Sequence, residues 1–566
     1  MVAALLITGL VLALFFLYGW AAVNGLRKLF RLESAGTLRP VLYILAGMVV
    51  LIWIAQIISL VMPLAAPAFL IIFTGGIVAG WMFLRSPESR LIGLRPLPVV
   101  GYILFGLVSI SVLENSTHLA ANFDTGLYHA QAIRWIETYP TVPGLGNLHT
   151  RFAFNSSWLV LNALFSFSFL GLGSFHLVPA ALTLAAVLDF ASGAVAWGRG
   201  EGTPANILRA FFLPVTFYVL GSQISSPGTD LPVILTLWLL LTAWLDRLDP
   251  AENSLRDLVV FLGAVSLLTL KLSALPVLLL GIWIWLKRFH RPVDRLNLTV
   301  IGILLLIPWV ARNVILSGYL IYPFPAVDWF NPDWKIPIEI AESEVRTIRA
   351  WGRDPGEAVD VILAEPFSSW FHLWFIEKTA NQKIILLATG ASIFVFLAGI
   401  LNAHRIKNRA DLDLPALAAG YGTTAAGALY WLLSSPDIRF GYGFLLALIG
   451  LSVAPWLTLI NGTDRRTGKI LGMAITLLLI AYQLLFFLRS FEPDSLGSRM
   501  VLPLAYPQLP SEPCAFGDGQ VWCAGEEAWT QCWYEPFPCI PQPNEWAEQR
   551  GADWRDGFRP KQDGTG

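Results

Sequence analysis

Residues 3–23 read AALLITGLVLALFFLYGWAAV, a run of 21 residues with no charged side chain, and Arg27, Lys28 and Arg31 follow it. A helix rising ~1.5 Å per residue crosses the ~30 Å hydrocarbon core of a bilayer in about 20 residues, so this run is long enough to span. No Lys or Arg precedes Arg27, so the basic leader of a signal peptide is missing. That order predicts a retained helix with its N-terminus facing outward. Comparable runs recur at 41–62, 68–84, 97–113, 176–197, 206–221, 230–246, 257–270, 272–287, 296–317, 383–401, 413–433, 443–460 and 468–490. Hydrophobic residues make up 55% of the chain and charged residues 14%, against roughly 25% charged in a soluble domain. The sequence therefore predicts an all-α polytopic membrane protein with about 14 transmembrane helices. A net charge of −1, with the basic residues dispersed in short loops, argues against a nucleic-acid partner.

Orientation follows from Lys and Arg in the short loops. Basic clusters at 27–39, 85–95, 287–295, 404–409 and 465–469 mark one side as cytoplasmic. Counting helices between them puts 114–156, 222–229, 318–382, 434–442 and the tail from 491 outside. Residues 157–172 are apolar, yet a full crossing there would invert every later basic loop, which predicts a re-entrant or interfacial helix instead. Non-spanning backbone at that depth is tolerated only beside protein or a water-filled cavity. The resulting organisation is N-terminal helices (1–113), an external loop (114–175), a transmembrane core (176–317), an external aromatic loop (318–382), C-terminal helices (383–490) and a tail (491–566).

That tail holds all four cysteines, Cys514, Cys523, Cys532 and Cys539. An even number clustered in a polar, Pro- and Trp-rich segment predicts two disulfides in an oxidising compartment, with three pairings open. A zinc site is the rival, but the spacing has no Cys-x-x-Cys pair and no His lies nearby. The residues from about 557 onward read as disordered.

The loop 122–158 is too long and too varied for a simple turn between helices. It carries Asp124, Tyr128, His129, Arg134, His149, Arg151 and Asn155. Asp124 precedes Thr-Gly-Leu and is a good N-cap for a helix running to about Thr138, with Tyr128 and Gln131 on its side of that helix. Capping and catalysis are compatible, because a cap fixes the carboxylate. Three further polar constellations fall on the same predicted face. Ser225-Ser226-Pro227-Gly228-Thr229-Asp230 reads as a turn with an N-cap. Lys271, between two leucines, needs either the surface or an anionic partner. Asp437-Ile438-Arg439 starts a helix, and its Arg can snorkel or pair with Asp437. The aromatics of 318–382 suit sugar stacking and equally an interfacial segment.

The order of these segments resembles the GT-C superfamily of membrane glycosyltransferases that use polyprenyl-phosphate sugars. The similarity runs over about 97–330, through the acidic external loop, the short apolar helix, Ser225–Asp230, Leu268-Thr269-Leu270-Lys271 and Ala311-Arg312-Asn313 on to Tyr322-Pro323. Asp-Thr-x-Leu-Tyr-His-x-Gln and Asn-Ser-Ser-Trp also resemble an uncharacterised bacterial family of polytopic membrane proteins. The resemblance implies GT-C-like external helices and sugar transfer from a polyprenyl-phosphate donor to a glycan, lipid or protein acceptor outside a bacterial inner membrane. It implies Asp124 as general base, Lys271, Arg439 and Arg151 on the donor phosphate, and Tyr128, His129, Gln131, Asn155 and Asp230 positioning substrate. No metal-ligand cluster is visible and no cofactor is implied; a divalent metal held by Asp124 and Asp230 is the alternative. A transporter or flippase for a lipid-linked glycan is the competing class, and an inactive structural protein the third. A transporter should carry ionisable residues inside several spans, whereas these spans read as nearly free of them.

Overall fold

A computed structural model of the chain describes residues 1–32, 37–91, 96–405, 412–517, 519–525, 528 and 530–561. Among the described residues ten helices are long and apolar enough to cross a membrane. They are Val2–Leu29, Pro40–Val61, Ala66–Arg85, Val178–Gly198, Pro204–Gln223, Pro250–Leu270, Pro292–Ser317, Ala380–Asn402, Ile438–Gly462 and Arg465–Ser490. The remaining apolar runs of the sequence fold otherwise. Val99–Asn115, Asp230–Trp244 and Leu272–Lys287 are shorter helices. Leu272–Lys287 begins with a tight turn holding Pro276, which cannot donate to a helical ladder. Every residue of Asp230–Trp244 is buried, so protein rather than lipid surrounds it. Leu414–Ser434 has 21 residues, but Gly420, Gly422, Thr423, Thr424 and Gly427 dilute its apolar character. The chain is a multi-pass helical protein whose apolar helices suit a bilayer.

Val2–Leu29 and Pro40–Val61 cross with their backbones touching. A Cβ on Gly19 would stand 1.6 Å from the Tyr43 carbonyl oxygen, and one on Gly47 1.7 Å from that of Phe15. Small residues at facing positions are what permits such an approach between apolar helices. In the centre, Val178–Gly198 packs on Pro204–Leu220, Val99–Asn115 and Arg465–Ser490, while Asp230–Trp244 packs on Pro250–Leu270 and Ile438–Thr463.

The basic loops meet at one end of this bundle. Arg39 pairs with Asp189, Arg199 Nη2 donates to the Pro96 carbonyl (3.0 Å), Phe30 stacks edge-on against Phe289, and Arg288 lies 3.8 Å from Asp413. Arg95, Lys407 and Arg409 lie outside the described residues. At the opposite end the N-terminal ammonium donates to the Arg499 carbonyl (2.5 Å), and Arg499 Nη1 pairs with buried Glu114 (2.8 Å).

That opposite end carries the 122–158 loop, folded as short pieces: a π-helical turn Thr125–His129, helix Ala130–Thr138, a tight turn Thr150–Phe154, and helix Ser157–Leu164. Ser157–Leu164 has eight residues, all buried; at ~1.5 Å per residue it covers about 12 Å and cannot cross. The disulfide-bonded tail packs against Ala130–Thr138. Ser511–Phe516 pairs antiparallel with Gly519–Ala524, which pairs parallel with Cys539–Ile540. Ala547–Gln549 pairs antiparallel with Phe558–Pro560. The disulfides are Cys514–Cys523 and Cys532–Cys539. The expected disorder from residue 557 is corrected here: Phe558 is fully buried beside Trp135 and Trp554, and its N–H donates to the Pro143 carbonyl (3.0 Å). Residues 562–566 lie outside the described residues.

Candidate functional site

A cavity of about 590 Å³ opens where the 122–158 loop, the Asp230 and Lys271 corners, the end of Pro292–Ser317, helix Ile338–Arg353 and the start of Ile438–Thr463 converge. Its wall carries apolar side chains, among them Trp135, Ile136, Val142, Leu145, Leu159 and Leu316, and charged ones, among them Asp124, Arg151, Asp230, Lys271, Asp437 and Arg439.

Asp124 occupies the N-cap position of the π turn but makes no capping hydrogen bond. Asn122 takes that part, its Oδ1 accepting from the Asp124 N–H at 2.9 Å. The Asp124 carboxylate instead faces two guanidiniums, with Arg151 Nη1 3.8 Å from Oδ1 and Arg439 Nη1 3.6 Å from Oδ2. These are ion-pair contacts too long for hydrogen bonds. Each arginine has another acid. Arg439 Nε lies 3.2 Å from Asp437, which also caps the helix by accepting from the Arg439 N–H (2.9 Å). Arg151 Nε lies 3.7 Å from Glu344, itself held by Thr150 (3.1 Å). Lys271 pairs with buried Asp230 and sits 3.7 Å above the Phe440 ring, so a lysine between two leucines acquires both an anionic partner and an aromatic face. Among the described residues no three His, Cys, Asp or Glu side chains come together.

Tyr128 and His129 line the cavity, their rings 4.3 Å apart. Burial raises the Tyr128 pKa and lowers that of His129 to about 4, and neither His129 ring nitrogen has a partner among the described residues. His149 is likewise depressed by burial, to about 3, but does not line the cavity.

Asn155 is the hub of the wall. Its φ of 47° is left-handed, which Asn tolerates better than most side chains. Its Nδ2 donates to the Trp309 carbonyl (2.9 Å) and Asn313 Oδ1 (3.1 Å), and its Oδ1 accepts from Arg312 Nε (3.0 Å). The next two residues reach the other hairpin, Ser156 Oγ donating to the Leu270 carbonyl (2.7 Å) and Ser157 bonding Thr269 (2.7 Å). Asn-Ser-Ser thus ties Pro292–Ser317 to the Lys271 corner. The Asn155 amide is spent on this work and positions the wall rather than a ligand.

Gln131 does not face the cavity. The π turn takes an extra residue, so the side shared by Asp124 continues through Tyr128 and His129 and leaves Gln131 on the far side. There Gln131, fully buried, grips the Cys532–Cys539 loop: Nε2 donates to the carbonyls of Trp533 (3.0 Å) and Pro536 (2.9 Å), and Oε1 accepts from the Cys539 N–H (3.1 Å). Arg134 is spent on the same loop, on Tyr534 and Glu535. Glu137 accepts from the Tyr534 hydroxyl (2.7 Å), and burial holds its carboxyl above the usual carboxylate range.

Of the aromatic segment 318–382, Trp351 lines the cavity, Trp370 and Trp374 are buried in packing and Trp329 is exposed. The reading of the spans as nearly charge-free needs correction. Asp189, Arg209, Arg256, Asp257 and Arg312 all lie within spans and are buried; lone charges in long apolar runs were the available signal. The first four pair among themselves and with Asp246 and Arg288. Arg312 has no carboxylate partner among the described residues.

The chain belongs to the family described as "Domain of unknown function (DUF8201)", which it matches over residues 1–446. No curated protein and no solved structure matches it.

Proposed function

We propose that this protein is a GT-C-type membrane glycosyltransferase that moves a sugar from a polyprenyl-phosphate donor to a glycan, lipid or protein acceptor. The observation that carries the reading is the Asp124 carboxylate, uncapped and held between two guanidiniums at 3.8 and 3.6 Å on the wall of a half-apolar cavity. In the reaction, the acceptor hydroxyl oxygen bonds to the anomeric carbon as the bond from that carbon to the phosphate oxygen breaks. The hydroxyl proton passes to Asp124, and the electron pair leaves on the lipid phosphate, whose charge the neighbouring cations stabilise. The apolar side chains of the wall suit the prenyl chain.

The sidedness follows from the tail. Its disulfides form in an oxidising compartment, and Gly126 and Gln131 of the cavity loop are hydrogen-bonded to the Cys532–Cys539 loop. Cavity and tail therefore face the non-cytoplasmic side, as in a bacterial inner-membrane enzyme.

A glycan flippase is the second reading, favoured by the buried ion pairs within the spans, such as Asp189 with Arg209. Purified protein in liposomes with a radiolabelled sugar–polyprenyl phosphate separates the two. The enzyme reading expects label on an acceptor hydroxyl compound, lost in Asp124→Asn. Movement of intact donor between leaflets without transfer would replace it by the flippase.

A further inference from the structure

We infer that Arg312 receives the phosphate of the lipid-linked donor, as the cavity's one buried cation that lacks a carboxylate among the described residues. The inference rests on the lipid-phosphate reading of the cavity. Arg151, Lys271 and Arg439 each already face at least one acid. Arg312 is 3% exposed, and its partners are neutral oxygens: Ser59 Oγ (2.5 Å) and Thr141 Oγ1 (2.7 Å) on Nη1, and Asn155 Oδ1 on Nε (3.0 Å). Its Nη2 makes no hydrogen bond to the described residues. A guanidinium buried in a spanning helix with no counter-charge is costly, so its natural complement is an anion that arrives in the cavity.

Two further observations point to an acceptor-rich ligand. His129, through both ring nitrogens, and the Tyr322 hydroxyl are buried without partners, and both residues line this cavity. Every carboxylate on the wall, by contrast, already faces a cation. The Tyr322 hydroxyl and the one N–H of the neutral His129 ring each lack an acceptor among the described residues, and phosphate oxygens supply acceptors in the forked geometry a guanidinium prefers. The surroundings of Arg312 favour a lipid phosphate over a free one: Leu316, one turn on along the same helix face, and Val142 and Leu145, just beyond Thr141, all line the cavity. An anionic head with an apolar chain fits that juxtaposition.

The test uses the full-length protein in nanodiscs, titrated with undecaprenyl phosphate, undecaprenol and inorganic phosphate, with binding read from tryptophan fluorescence. Wild type should prefer the lipid phosphate over the alcohol by on the order of tenfold or more, and inorganic phosphate should compete only weakly. Arg312→Gln should erase the preference and Arg312→Lys retain part of it. Thr141→Asp leaves Arg312 in place but gives it an internal carboxylate, and should also erase the preference, which decides the matter if Arg312→Gln does not fold. If wild type prefers the phosphate while Thr141→Asp and folded Arg312→Gln keep that preference, the assignment to Arg312 is overturned and the lipid-phosphate reading stands. If wild type binds the alcohol equally well, both fall. If inorganic phosphate competes as strongly as the lipid, the anion is a free one and the lipid source is wrong.

Discussion

Two charge networks sit at opposite ends of the helix bundle and differ in how completely they are closed. At the basic-loop end, Arg209 is fully buried and spends its fork on two acids, with Nε 2.6 Å from Asp189 and Nη1 and Nη2 2.7 and 2.5 Å from the two Asp246 oxygens. Arg39 closes the other side of Asp189 at 3.0 Å. At the cavity end, Asp124 is partly exposed, and its two arginines stay 3.6 and 3.8 Å away, each shared with another acid. The closed network holds helices together and has nothing left to offer a ligand. The open one keeps charge in reserve beside a cavity.

Removing the centre of the closed network should have the largest effect. Arg209→Met leaves Asp189 and Asp246 buried without their main counter-charge, which should cost about 3–5 kcal/mol. Thermal unfolding in detergent should register that loss, while Asp124→Asn should change stability by less than about 1 kcal/mol. Equal destabilisation by the two variants would erase the distinction.

Gln131→Leu comes next. It strips a fully buried amide from the Cys532–Cys539 loop and leaves the Cys539 N–H and several carbonyls without partners, a loss of roughly 2–3 kcal/mol. Limited trypsin digestion should then clip the end of the tail at Arg550 and Arg555, which the wild-type fold should resist. An unchanged digestion pattern would mean that the tail docks without this clamp.

His129 gives a pH test. The folded chain binds its proton only near pH 4, because burial disfavours the imidazolium, whereas the unfolded chain binds it near 6.5. Stability contributed by the neutral ring is therefore complete above pH 6.5 and is lost as pH falls towards 4, about 2 kcal/mol of it by pH 5. His129→Phe should flatten the stability profile between pH 7 and 5 by that amount. A profile identical to wild type would place His129 in solvent.

The smallest effect is expected from Arg439→Lys. A single ammonium cannot reach Asp124 and Asp437 as a fork does. Activity should fall several-fold in the transfer assay with stability within about 0.5 kcal/mol of wild type, and full activity would show that the fork is dispensable.

Much of this was readable in the chain because polar side chains are scarce in it. Asp124, Tyr128, His129, Arg151, Lys271 and Arg439 stand out from apolar surroundings, and all line one cavity. Gln131 was misread because a π turn and an α turn share one sequence pattern while rotating later side chains differently. Arg312 drew notice only through a resemblance, although an arginine inside an apolar run is a signal in its own right. The pairing of Arg209 with Asp189 and Asp246 joins residues 20 and 37 positions apart, which no local pattern encodes. The strands of the tail are two to six residues long, too short for alternation to declare them.

The central claim is that the open network is a reaction site with Asp124 at its centre. The most direct measurement is the cell-envelope glycan profile of a deletion strain complemented with wild type or with Asp124→Asn inserted at the same level. The account predicts that a glycan product vanishes on deletion, returns with wild type and stays absent with Asp124→Asn. Full restoration by Asp124→Asn would contradict it.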